Sequence, residues 1–169
     1  MYRFNIILFL FFIVFYSFLH AGTSCLQLSS FLTQAPDSGK GTPAKFEQQI
    51  LVKNFLVNSN STRFGINEDG VYFIEVSANI GGISGASLGW VDIWLNKNNQ
   101  PVPGTNSRMT VDTPSTVASI SFCSIVDFKA GDEMSVLITA SGPGLGVIAI
   151  KPDIEPYIPS LSVSVFKVD

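Results

Sequence analysis

From Ile74 to Ile80 the chain alternates without a break. Tyr72, Ile74, Val76, Ala78 and Ile80 are apolar or aromatic, while Glu75, Ser77 and Asn79 between them are polar. Successive side chains of a strand point to opposite faces, so period two with one polar flank is a half-buried strand and excludes a helix here. The same beat returns in Val91, Ile93 and Leu95, set between Trp90, Asp92 and Trp94, and again in Leu161, Val163 and Val165, set between serines.

Turn residues separate these runs. Asn58-Ser-Asn-Ser follows the candidate first strand or strand pair, Phe46 to Val57. Asn67-Glu-Asp-Gly70 precedes the Tyr72 strand. Gly81 to Gly85, Pro114, Asp127 to Asp132 and Gly142 to Gly146 mark further loops, with strands expected at 109–111, 117–126, 134–139 and 147–150. The three prolines within 151–159 exclude a central strand there. Eight to ten short strands with Gly/Pro turns predict an all-β sandwich or jelly roll.

The first residues read differently. Arg3 precedes an apolar run, Ile6 to Leu19, and Ala21, Gly22, Thr23 and Ser24 follow. That is the order of a secretory signal peptide, expected over residues 1–23. Fourteen helical residues rise only about 21 Å, less than a bilayer core requires. Cleavage near Thr23 is therefore expected, with no membrane span left behind and a secreted or cell-surface product. Gly22 departs from the leucine that a lipoprotein cut before Cys25 would favour. Residues 24–44, rich in Ser, Thr, Gly and Pro, are expected to be an extended or mobile leader, and residues 45–169 the domain.

Removing residues 1–23 takes away Arg3 and His20. Nine Lys plus Arg remain against thirteen Asp plus Glu, a net charge near −4, and no histidine remains. Histidine-based triads, dyads and metal sites are then excluded. No basic stripe exists to displace counterions, so nucleic acid is not an expected partner. The thirteen carboxylates include no spacing that singles out a glycosidase pair, and the chain is not expected to be an enzyme. Charged residues make up only 14% of the chain. An ordinary domain carries about 25%, and the shortfall points to a surface hidden in an oligomer.

Two features remain open. Trp90, Asp92 and Trp94 share a flank opposite the aliphatic one, and serve as a subunit interface, as core, or as a ligand platform. Cys25 and Cys123 either form a disulfide in an exported protein or stay apart, with Cys123 a small core residue. Asn60-Ser61-Thr62 is a glycosylation sequon within a turn.

Several motifs resemble the C1q/TNF-like jelly-roll heads that end bacterial collagen-like proteins and phage tail fibres. Gly70-Val71-Tyr72 is similar to the segment opening one of their core strands. Ile93-Trp94-Leu95-Asn96-Lys97-Asn98 is similar to a strand and turn of the phage and bacterial variants. Pro101-Val102-Pro103 through Asn106-Ser107-Arg108 and Phe128-Lys129-Ala130-Gly131-Asp132 match their following segments. The resemblance covers residues 45–169 loosely and 64–138 best. No Gly-X-Y stalk is present. The resemblance implies about ten antiparallel strands in two sheets, a homotrimer, and a secreted, non-catalytic recognition or adhesion module for a protein or glycan ligand. Some such heads hold calcium near the apex. Asp127, Asp132 and Glu133 offer fewer oxygens than calcium takes, so a turn-capping role and no cofactor is the expectation. The alternative is a monomeric carbohydrate-binding β-sandwich built on Trp90 or Trp94. The loops expected to carry recognition are Gly81–Ser87, Asn96–Asn106 and Lys151–Pro159.

Overall fold

The computed structural model describes residues 24–168, and the expected signal peptide lies outside them. In chain order the strands are β1 (Cys25–Ser30), β2 (Thr42–Pro43), β3 (Gln48–Lys53), β4 (Phe55–Val57), β5 (Phe64–Ile66), β6 (Gly70–Gly82), β7 (Gly89–Lys97), β8 (Gln100–Pro101), β9 (Ser107–Val111), β10 (Ala118–Phe128), β11 (Glu133–Ala140), β12 (Leu145–Val147) and β13 (Leu161–Lys167). Sheet A runs β10-β6-β13-β1-β3, with β12 beside β6. Sheet B runs β4-β5-β11-β7-β8, with β2 beside β11 and β9 beside β7. All pairings are antiparallel.

The alternating residues meet between the sheets. Tyr72, Ile74, Val76, Ala78 and Ile80 of β6 and Leu161, Val163 and Val165 of β13 are buried, as are Val91, Ile93 and Leu95 of β7 and Met134, Val136 and Ile138 of β11. Tyr72 packs edge-on against Phe55 and Phe128 at ring separations of 5.9 Å, closing one end of the core. At that same end the β7–β8 hairpin turns through Asn98 and Asn99, both at positive φ (51° and 65°). A two-residue hairpin needs left-handed backbone at both positions, and asparagine tolerates it well.

The leader differs from expectation. Residues 25–30 are not a mobile approach to the domain but the strand between β13 and β3. Leu26 and Leu28 are buried. The first strand is therefore β1, not the segment from Phe46, and the jelly roll begins before residue 45. Without β1 the strand β3 has no partner in sheet A. The later leader is also tied down: Gly39 N–H donates to Ala140 C=O, Ala44 N–H to Val136 C=O, and β2 pairs with β11.

The two cysteines are free, which corrects the possible disulfide. Cys123 lies level with Gln27, three strands across sheet A from β1. Three strand spacings are about 14 Å, and a disulfide needs Cα atoms within about 7 Å. Cys123 also lies on the exposed flank rather than in the core.

Because Leu28 is sealed inside the sandwich, Leu28→Ala is expected to cost about 2–5 kcal/mol of unfolding free energy. Denaturant titration measures it; a mobile leader would give no loss.

Candidate functional site

Trp90, Asp92 and Trp94 project from the outer flank of β7 on sheet B, with Val91, Ile93 and Leu95 turned inward. The β7–β9 register sets Arg108 directly opposite Asp92. Arg108 Nε donates to Asp92 Oδ1 at 2.7 Å and Nη2 to Oδ2 at 2.8 Å, a two-point fork. The same guanidinium lies 3.8 Å from the centre of the Trp90 ring, a cation–π contact. Hydrogen bonding to Asp92 holds the Arg108 proton above its ordinary affinity; partial desolvation opposes this, and the charge of Asp92 reinforces it. Asp92 is buried at 6% exposure although it sits on an outer sheet face. The arginine is what makes that burial tolerable.

Trp94 is covered from another direction. Its Nε1 donates to Asn96 Oδ1 at 2.9 Å. A Cβ placed on Gly41 would lie 2.9 Å from the indole Cη2 and Cζ2, so only glycine lets the leader pass this close. The three residues expected to form an interface or platform thus have partners within their own chain. Sequence reading missed Arg108 and Gly41, which the sheet register and the docked leader bring in from distant segments.

The acidic turn is equally occupied. Asp132 accepts from the backbone N–H of Lys129 at 2.8 Å, from Asn98 Nδ2 at 2.7 Å and from Lys97 Nζ at 2.8 Å. Burial pushes this carboxyl up, but the three donors outweigh it and hold it down, from 3.8 to about 2. This is the chemistry of a turn cap. Its oxygens are already engaged, and among the described residues no group of three or more His, Cys, Asp or Glu side chains could hold a metal ion. A second carboxylate, Glu68, ties three segments together by accepting from Ser24 Oγ, Asn54 Nδ2 and Lys167 Nζ.

An uncovered apolar area lies elsewhere, on the outer face of sheet A. Its register aligns Cys25, Phe166, Phe73 and Ile125 in one row across β1, β13, β6 and β10. Gln27, Ser164, Glu75 and Cys123 form the next row, and Ser29, Ser162, Ser77 and Ser121 a third. Phe73 and Phe166 stack at 5.0 Å with a 26° tilt. Ile125 is 68% exposed, and Leu51 of β3, beside Gln27, is 47% exposed. The alternation on β13 and β10 contains this face, but the sequence does not show that Phe166, Phe73 and Ile125 fall in one row across three strands.

Of the three loops expected to carry recognition, two share one end of the sandwich. Gly81–Ser87 and Lys151–Pro159 lie at the end away from Ser24 and Val168, whereas Asn96–Asn106 lies at the end beside them. The 150–158 loop is closed at its base by two hydrogen bonds between Ile150 and Ile158, at 3.1 and 2.9 Å. Tyr157 meets Phe31 edge-on at 6.0 Å and lies under Lys151. Ile154 stands 93% exposed at the tip.

No protein-family model matches this sequence, and no curated protein does. Among solved structures, the globular domain of zebrafish complement 1qA protein is similar, with a TM-score of 0.57 at 14% identity, covering 86% of this chain and 98% of that one. The two-sheet arrangement is thus that of a C1q/TNF-like jelly roll. Among the described residues no helix is long and apolar enough to cross a membrane.

Two measurements check this geometry. Arg108→Ala, made in a Trp94→Phe background, is expected to leave Trp90 more open to acrylamide quenching; unchanged quenching would mean that the arginine does not cover the ring. Asp132 has a folded-state value below its unfolded one. Its stabilising contribution is full above about pH 4 and fades as pH falls toward 2. Asp132→Asn should flatten the pH dependence of stability in that window, as read by denaturation at each pH.

Proposed function

We propose that this chain is a secreted, non-catalytic recognition or adhesion head that assembles as a homotrimer through the outer face of sheet A. The observation that carries the reading is the open Phe73–Phe166 stack, continued by Ile125 and Leu51. Covering such side chains is worth about 25 cal/mol per Å² of apolar surface. Across β1, β13, β6 and β10 the three rows hold only uncharged polar groups, apolar side chains and the single charge of Glu75, with Lys53 of β3 at the far edge of the first row. Likeness to C1q/TNF-like heads supplies the number three. Jelly-roll heads of this kind act by binding, and the chain expected after export has no histidine with which to build a triad.

One end of the sandwich lies away from Ser24 and Val168. It displays the 83–88 and 151–159 loops on a rigid frame, the arrangement that binding loops favour. A protein or glycan ligand is proposed to meet that end. The monomeric carbohydrate-binding reading is less favoured, because Arg108 lies on Trp90 and Gly41 against Trp94.

Sedimentation velocity tests the assembly. The expected species has three times the mass of one chain, and Ile125→Asp, which replaces an already exposed side chain, should yield a folded monomer by circular dichroism. A parent protein that stays monomeric at neutral and at mildly acidic pH alike would overturn the reading.

A further inference from the structure

Glu75 stands at the middle of the face proposed to be covered. Its neighbours on that flank are Phe73 and Ser77 along β6, Cys123 across on β10 and Ser164 across on β13. From β10 the ionisable groups on this face are Cys123 and Asp127, the latter level with Val71 and near Lys129. From β13 there is none among Ser162, Ser164 and Phe166. From β1 there is Cys25, and from β3 there is Lys53, level with Cys25 and three strands away from β6. Three strand spacings are about 14 Å, beyond the reach of an ion pair. No cation of the same sheet face therefore stands beside Glu75.

We infer that the face carrying Glu75 is an acid-favoured self-association surface, in which each Glu75 enters the interface in its protonated form. This rests on the proposed assembly through sheet A. Taking a carboxylate out of water without a nearby cation is costly, whereas a neutral carboxyl can donate to the hydroxyl oxygen of Ser77 or Ser164 and accept in return. Assembly then binds protons. The sign follows from linkage: the associated state holds more protons than separate chains, so association strengthens as pH falls. With one Glu75 per subunit, a trimer takes up as many as three protons, and its association constant can change by up to about a thousandfold per pH unit. The device turns an adhesive head into one that tightens in acidic surroundings.

The experiment is sedimentation of the purified protein at about pH 7.5 and about pH 5.5, a range in which model glutamates begin to protonate. Asp132, held near 2, stays ionised throughout. Wild type is expected to associate at least tenfold more tightly at the lower pH. Glu75→Gln, which keeps the shape and removes the charge, should associate tightly at both, with circular dichroism confirming the fold. A trimer indifferent to pH in both proteins would overturn the inference and leave the assembly standing. Persistent pH dependence in Glu75→Gln, lost instead in Asp127→Asn, would also overturn it. Monomers under every condition, Glu75→Gln included, would overturn the inference and the assembly together.

Discussion

A strand has two flanks, and a two-sheet sandwich can enclose only one of them. That limit governs this protein. Sheet A places Tyr72, Ile74, Val76, Ala78, Leu161, Val163 and Val165 inside, and so leaves Phe73, Phe166 and Ile125 on the outside by geometry alone. A one-residue slip would exchange the two sets and lose the core. The outer apolar row is therefore fixed in position by the inner one. Sheet B meets the same limit, but there the chain supplies cover for Trp90 and Trp94.

The contrast between the outer faces separates structural residues from candidate functional ones. On sheet B the indoles invite notice, yet Arg108 forks onto Asp92 and lies over Trp90, while the leader passes at Gly41 against Trp94. These contacts complete the domain. On sheet A the Phe73–Phe166 stack has no covering segment within the described chain. Apolar continuity beside small serines suits a flat contact with another sheet or edge, and the lone carboxylate at its centre makes such a contact responsive to protons.

Much of the core was legible from period two. Val91, Ile93 and Leu95 lie inside as their alternation requires, and the prolines of 151–159 keep that segment out of the sheets. The strand β1 was harder to see. Leu26 and Leu28 alternate with Gln27, but six residues followed by a Ser-, Gly- and Pro-rich stretch read as a linker until the partners β13 and β3 are known. The site was less legible still. Sequence identifies the flank that Trp90 shares with Asp92, but it does not show that the residue opposite Asp92 is Arg108, sixteen positions later. Strand order likewise decides that Cys25 and Cys123 stay apart, and order across a sheet is a property of pairing rather than of any one segment.

The native thiol of Cys123 provides the most direct test, because it lies in the row of Glu75, one row from the aromatic stack. Its alkylation rate can be followed against protein concentration in a Cys25→Ser variant. If copies cover this face, the rate falls as concentration rises and recovers on dilution. A rate that stays high at every concentration would mean that the face remains open to water, contradicting the account.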